Sequence, residues 1–481
     1  MTFDELLAVV TSKTPPGIIT DSRLVKPGDV FVAVEGSTYD GHNFIDQAVA
    51  GGAKYIVCQK ACCCKGAEII LVDNSAGAAG LLAQAARGNP ASQLINLAVT
   101  GTNGKTTITF LVRSCIRSAG FKCGLIGTII YDTGLSCFEA PLTTPDCLTI
   151  AEKQQEMVKA GAKYMVIEAS SHALSQNRLA GVNFRAAAFT NLTGDHLDYH
   201  KTQADYLAAK MKLFEQLSAD ATAVLNKESP EAAKIAEKTS AKILWYAVDA
   251  PADITASIES MDVTGTTFNL EYAGQKQKVK TPLLGRYNVS NHLAAAGLCL
   301  AAGFDLPTIA KGLSSLTAIP GRLEKVDWDG NFTVLVDFAH TDDALKNVLT
   351  TLKPLCKGRL IAVFGCGGDR DRTKRPRMAK VTEQLADVVV VTSDNPRTER
   401  PEDIISQIVA GFENPGSSTI TVEPNREKAI GLALNAAVKN DVVLIAGKGH
   451  EPYQIIGKQK FEFSDKKIAD EYLKKRIKNE A

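Results

Sequence analysis

The chain reads as an α/β protein built on mainly parallel sheets, and three observations carry that reading. Strand-like apolar runs alternate with helix-like amphipathic ones along nearly all of its 481 residues. The apolar run Leu94 to Thr100 feeds a glycine-rich turn and then a helical pattern, the order of a parallel strand–helix unit. Polar loops follow further apolar runs, at Gly365, Ser393 and Ala446, as expected where parallel strands end.

The length exceeds one ordinary core, so roughly three domains are expected. Residues 1–92 are rich in Gly and in short β-like runs such as Val30-Phe31-Val32-Ala33-Val34. They close with a helix-like stretch, Ala76 to Ala86, stopped by Gly88-Asn89-Pro90. A second unit starts with Leu94 to Thr100, and a turn signal at Ile319-Pro320-Gly321-Arg322 separates it from a third. The third has its own strand runs at Thr333–Val336, Leu360–Phe364, Val388–Thr392 and Val442–Ala446. The expected boundaries are therefore 1–92, 93–321 and 322–481.

Composition excludes several classes. With 54 Lys plus Arg against 53 Asp plus Glu, bulk charge offers no footprint for nucleic acid or an anionic membrane. Met1-Thr2-Phe3-Asp4-Glu5 lacks the basic start of a secretory signal. Apolar runs such as Asp387 to Thr392 are strand-length, far short of the ~20 residues of a membrane helix. Eleven cysteines, odd in number, form no CxxC pair, and Cys62-Cys63-Cys64 are adjacent. Free thiols in a reducing cytoplasm are expected.

The strongest chemical signal is Gly101-Thr102-Asn103-Gly104-Lys105-Thr106-Thr107, between the apolar run and a helical face of Ile108, Leu111, Val112, Cys115, Ile116 and Ala119. Glycines let backbone N–H groups turn toward phosphate oxygens, and the helix N-terminus favours an anion. Lys105 can reach the β- and γ-phosphates, and the Thr106 hydroxyl suits Mg²⁺. The usual phosphate-loop spacing has a Gly where this chain has Val99. A plain glycine turn would not need Lys-Thr-Thr directly after it, so a nucleotide, ATP, is expected here.

Two further runs end in functional-looking groups: Tyr164 to Ile167 leads into Glu168, and Ala186 to Phe189 leads toward His196. At the carboxyl ends of parallel strands both would face the nucleotide, where either could hold a divalent cation. Taken singly, such a Glu reads equally as a helix cap and such a His as structural. Lys210, in the helix-like stretch Asp205 to Leu217, reads from pattern alone as a solvated surface lysine.

Gly101-Thr-Asn-Gly-Lys-Thr-Thr, Glu168-Ala-Ser-Ser-His, Asp195-His-Leu-Asp-Tyr-His, Gly285-Arg-Tyr-Asn-Val with Asn291, and Pro320-Gly-Arg-Leu-Glu together resemble the Mur ligases of peptidoglycan synthesis. The resemblance runs from Asp21-Ser22-Arg23 to Gly447-Lys-Gly-His-Glu451. It implies a three-domain architecture: an N-terminal UDP-binding α/β domain, a central P-loop ATPase-like domain with mainly parallel sheet, and a C-terminal Rossmann-like domain. The short glycine spacing at Val99 is that family's own form. The resemblance also implies ATP-driven amide formation with Mg²⁺, the ion held by Thr106, Glu168, His196 and Lys210, the lysine as a carbamate. By the same resemblance Asn291, Arg322 and His340 serve the nucleotide, although Phe338 and Asp342 stand where the family usually has Tyr and Pro. Ser22, Thr143, Thr144, Ser171 and Arg178 would bind the first substrate, UDP-MurNAc-L-Ala-D-Glu. A monomer is the implied state.

The second substrate is read from three polar loops at strand ends: Gly365-Cys-Gly-Gly-Asp-Arg370-Asp, Ser393-Asp394-Asn395-Pro396-Arg397 and Ala446-Gly447-Lys-Gly-His-Glu451. Two arginines, an Asn and a Glu converging there would suit a zwitterion with more than one carboxylate, because Arg pairs with carboxylates bidentately and Glu with an ammonium. Otherwise these are three solvated loops. Asp394-Asn-Pro-Arg397 resembles the motif of family members that add meso-diaminopimelate, while Thr373 replaces a family Gly in the loop after Arg370. Two alternatives remain open at this stage: a lysine-adding or other amide ligase of the superfamily, and a phosphate-loop switch without an amino-acid acceptor.

Overall fold

The computed structural model describes residues 1–36, 39–193 and 197–480. The chain divides into two compact units: the first holds 1–255, 271–277 and 291–313, the second 256–270, 278–290 and 314–481.

The first unit contains two sheets with separate cores. Strands Ile18–Ile19, Val30–Val32, Tyr55–Cys58 and Glu68–Leu71 lie side by side, all parallel. Helix Ser75–Ala86, capped by Asn74 through Gly77 N, covers this sheet with Ala78, Ala79 and Leu82. In the larger sheet, Lys242–Ala247, Thr222–Asn226, Phe184–Phe189, Ile95–Thr100, Tyr164–Glu168 and Cys123–Ile126 run parallel in that order. Ile95–Thr100 is central and buried on both faces, as a strand with helices on either side must be. Its chain neighbour, helix Lys105–Ser118, buries Ile108, Leu111, Val112, Cys115 and Ile116. Centrality follows from crossover order: Tyr164–Glu168 and Phe184–Phe189 flank Ile95–Thr100, so three strand ends meet at one point of the carboxyl edge.

The second unit is built on a sheet ordered Glu324–Lys325, Thr333–Asp337, Val442–Ala446, Leu360–Phe364, Val388–Val391 and Ile420–Val422, parallel except for the first strand. Val442–Ala446 is the last of these six in sequence yet third in sheet order. Two apolar clusters cover its faces, one around Leu345, Leu349, Met378 and Ile408, the other around Ile430, Leu434 and Leu473. The expected strands recur with shifts of one or two residues at their ends.

All eleven cysteines carry free thiols, and Cys58 Sγ lies 3.4 Å from Cys62 Sγ. Among the described residues, no helix is long and apolar enough to cross a membrane.

Candidate functional site

The glycine turn after Ile95–Thr100 is held open by its neighbours. Gly101 has φ 143°, and a Cβ there would meet Thr190 Oγ1 at 1.8 Å, so only glycine fits. Gly104 has φ 92° and packs against Asn291 Oδ1. Residues at the end of the adjoining strand brace the turn. Thr102 N donates to Asn191 O (2.9 Å), Asn103 N to Asn191 Oδ1 (3.0 Å) and Thr190 Oγ1 to Asn103 O (2.7 Å). Thr102 Oγ1 meets Tyr206 OH at 3.2 Å.

Two ammonium groups enter this turn. Lys105 Nζ donates to Gly101 O (2.9 Å) and Thr102 O (2.8 Å). Lys210 Nζ donates to Gly101 O (2.9 Å) and lies 4.3 Å from the Tyr206 ring centre. The surface position that pattern alone gives Lys210 is wrong: its side chain is buried. Helix Gln203–Glu215 buries Tyr206, Leu207, Ala209, Lys210, Leu213 and Phe214, so the lysine sits on the inward stripe. A charged residue type masks that position in any hydrophobic pattern.

Glu168, the last residue of its strand, is buried and saturated with donors. Thr128 N reaches Oε1 at 2.8 Å, and Oε2 accepts from Thr128 Oγ1 (2.9 Å) and Thr106 Oγ1 (3.1 Å). The Thr106 hydroxyl and Glu168 are therefore adjacent, as two oxygen ligands of a hard cation must be. Among the described residues no group of three or more His, Cys, Asp or Glu gathers. A Mg²⁺ ion here would draw its remaining ligands from phosphate oxygens and water, its usual habit. Of the other two expected ligands, Lys210 bonds Gly101 O, and His196 lies outside the described residues.

A polar network continues from Glu168. Thr144 Oγ1 donates to Glu168 O (2.6 Å) and accepts from Ser170 N (3.0 Å). Thr143 Oγ1 meets Thr128 Oγ1 at 3.1 Å, and Arg178 Nη1 donates to Thr144 O (2.8 Å). Ser171 Oγ meets His200 Nε2 at 2.9 Å. Thr143, Thr144, Ser171 and Arg178 are thus brought together with Glu168 and Thr106, over a sequence span with no common motif. Ser22 is not in this network; its hydroxyl donates to Gln47 Oε1 (2.9 Å) beside the four-stranded sheet. Sequence reasoning passed over Thr128, Gln176 and Tyr199, which orient these groups. Single hydroxyls and amides in loops carry no pattern by which to find them.

In the second unit, Asp337 takes Leu323 N on Oδ2 and Ala339 N on Oδ1, each at 2.7 Å. That carboxylate ties the Arg322 turn to the Phe338–His340 turn. Burial pushes its pKa up, and Arg322 opposes the rise. The Arg322 guanidinium lies 5.0 Å from the Phe338 ring centre, and His340, exposed, stacks at 4.6 Å on the other contact of the same ring.

The three polar loops converge. Arg397 Nη1 donates to Gly368 O at 2.8 Å, and Gly367 is flanked by that guanidinium and by Arg370 Cγ. Burial, then neighbouring Arg370, lowers the Arg397 pKa, the mark of two cations sharing a confined space. Arg397 itself has φ 52°, and its backbone is gripped by strand Tyr453–Ile456: its N–H donates to Ile455 O at 3.1 Å. Asn395 Nδ2 donates to Glu451 Oε2 (2.8 Å). Pro396 and Gly447 shape the turns: Pro396 O lies against Gly368, and Gly447, at φ 117°, leaves room for Asp394 Oδ2. Burial raises the Asp394 pKa, but Lys448 and Arg426 more than offset it, so it lies below the ordinary value. Thr373 has an ordinary φ of −67° ahead of helix Lys374–Leu385, so no glycine is required there.

Comparison with known proteins agrees with this layout. Residues 16–89 match the Mur ligase family catalytic domain, 99–299 the Mur ligase middle domain, and 321–449 the Mur ligase glutamate ligase domain. The chain is 44% identical over 462 residues to UDP-N-acetylmuramoyl-L-alanyl-D-glutamate–2,6-diaminopimelate ligase of Geobacillus thermodenitrificans, covering 95% of this chain and 94% of that protein. A solved structure of a ligase of the same name superposes with TM-score 0.71 at 34% identity, over 97% of this chain and 96% of that one. MurF ligase of Thermotoga maritima in complex with ADP shares the fold at 19% identity, with TM-score 0.63 over 98% and 99% of the two chains.

Proposed function

The chain belongs to the Mur ligase family, and from that premise we propose that it joins meso-diaminopimelate to UDP-MurNAc-L-Ala-D-Glu at the expense of ATP. One observation carries the choice of acceptor. Arg397 and Arg370 crowd one side of the convergent loops while Asn395 and Glu451 pair on the other. That pattern offers a bidentate partner to a carboxylate and an anion to an ammonium, and the extra carboxylate of diaminopimelate is what lysine lacks.

The turn from Gly101 to Thr107 supplies amides, a helix N-terminus and the Lys105 ammonium to the ATP phosphates. Asn291 against Gly104, and Arg322 and His340 around Phe338, are the groups assigned to the rest of the nucleotide. Thr106 and Glu168, with His196 and a carbamylated Lys210, are the ligands assigned to Mg²⁺, which when bound would screen the phosphate charge. Carbamylation would replace a buried cation by an oxygen anion; ¹³C-labelled bicarbonate with NMR detects it directly.

Thr143, Thr144, Ser171 and Arg178, with Ser22, are assigned to the UDP-sugar dipeptide. Its D-Glu γ-carboxylate takes the γ-phosphoryl group and becomes an acyl phosphate. The amino group of diaminopimelate then attacks the acyl carbon, an amide forms, and phosphate leaves. The protein's share is positioning and charge neutralisation. Three domains at 1–92, 93–321 and 322–481, a monomer and a cytoplasmic location belong to the same reading.

The test is ATP-dependent phosphate release with UDP-MurNAc-L-Ala-D-Glu and either meso-diaminopimelate or L-lysine. Diaminopimelate should be strongly preferred. Equal rates, or preference for lysine, would remove the role given to Arg397.

A further inference from the structure

The amide of Asn395 has only one possible orientation. Its Oδ1 lies 2.9 Å from Ile455 N. A peptide N–H can only donate, so that atom is the oxygen, and the NH₂ group is the one facing Glu451. Lys448 completes the arrangement. Its Nζ donates to Asn395 Oδ1 at 3.0 Å and to Glu451 Oε2 at 2.9 Å, and its side chain is 0% exposed. Asn395 and Lys448 thus both bond Oε2 of Glu451.

A buried lysine is expensive to desolvate unless its partners repay it. Here the partners are the two groups that the proposed acceptor would meet. We propose that Lys448 is a positioning residue for the amino-acid substrate, locking Asn395 and Glu451 into one rigid unit that presents a carboxylate to the acceptor's ammonium. This rests on the acceptor reading given above.

The charged groups around Glu451 define what losing Lys448 would do. Arg397 and Asp394 lie on the facing loop, Arg426 begins helix Arg426–Ala436, and His450 is adjacent. Burial, then Arg322 and Lys448, lowers the His450 pKa to about 3, so His450 is neutral and supplies no substitute cation. Without Lys448, Glu451 keeps the Asn395 amide as a partner but loses the cation that fixes it, so its carboxylate is free to turn away from the acceptor.

The experiment is steady-state phosphate release by the full chain, varying ATP and meso-diaminopimelate separately from pH 6 to 9. K448M is expected to raise the KM for the acceptor roughly tenfold or more at neutral pH, with the KM for ATP little changed. K448R should recover part of that rise, and K448M/E451Q should be no worse than E451Q alone. K448Q, which keeps a polar head, serves in place of K448M if the latter melts near assay temperature. Equal effects on both substrates, no recovery in K448R, or additive losses in the double variant would overturn the proposal. If the parent protein turns over lysine instead, the acceptor reading falls, and the same series run with lysine still decides the role of Lys448.

Discussion

Lys105 and Lys210 donate to the same oxygen, the carbonyl of Gly101, each at 2.9 Å. One comes from the helix that follows the phosphate turn and the other from a helix more than a hundred residues on. With both lysines unmodified, their convergence concentrates positive charge at the turn; carbamylation of Lys210, as proposed above, would leave Lys105 as the cation there. K105A should lower phosphate release at least about a thousandfold while leaving the melting temperature nearly unchanged. K210A should lower it too but also destabilise the fold by about 1–3 kcal/mol, because the Lys210 side chain, unlike that of Lys105, is buried. Thermal melting beside a phosphate assay separates the two; near-normal turnover in K105A would sink the mechanism.

Thr144 links the strand end at Glu168 to Ser170 and receives Arg178 on its carbonyl. T144V keeps the shape and removes the hydroxyl. The expected result is a KM for UDP-MurNAc-L-Ala-D-Glu raised roughly tenfold, with ATP binding spared. Titration of each substrate by calorimetry would show whether the loss falls on the sugar nucleotide alone.

Arg397 combines a functional side chain with a left-handed backbone, φ 52°. For a non-glycine residue that conformation costs about 1–2 kcal/mol. R397G should therefore melt higher than R397A, while both lose the preference for diaminopimelate over lysine. A glycine variant that melts lower than the alanine one would show that the strain argument is wrong.

Glu399 pairs with fully buried Arg375 through both oxygens, at 2.8 and 2.9 Å, and accepts from Asp369 N. Arg375, then the backbone of Asp369 and further arginine charge, overcomes burial and lowers its pKa from 4.5 to about 2. A depressed carboxylate stabilises above its unfolded value, so this contribution is whole at neutral pH and disappears as pH falls from 4.5 toward 2. E399Q should lose about 3 kcal/mol at pH 7, because Arg375 stays buried without its anion. Denaturant midpoints measured from pH 7 down to 3 should fall less steeply in E399Q than in the parent.

Much of this was legible in the chain itself. The apolar run before Gly101 and the amphipathic face after Lys105 dictate a strand, a turn and a helix, and these occur as Ile95–Thr100 and Lys105–Ser118. The glycines fix the turn because only they reach φ 143° and 92° there. Lys210 was not legible, because burial of a lysine depends on a carbonyl supplied from a distant turn. Nor was Lys448: between two glycines it has the look of a solvated loop residue, and only the sheet order brings Asn395 beside it. Thr128 and Tyr199 were missed for the same reason, since their partners are set by tertiary contact alone.

Arg426 sits beneath both acceptor loops, donating to Ser393 O and Ala446 O, and its ion pair with Asp465 is fully buried. Asp465 opens the last helix, Asp465–Glu480. During synthesis on the ribosome, every strand of the second sheet emerges before that carboxylate does. Until it arrives, the guanidinium that anchors both loops lacks its directly paired carboxylate and has only the charges of Asp394 and Glu451 to offset its burial. On the proposed acceptor reading, the order of translation leaves these loops without their full support until the helix Asp465–Glu480 has emerged, long after the phosphate turn has been made.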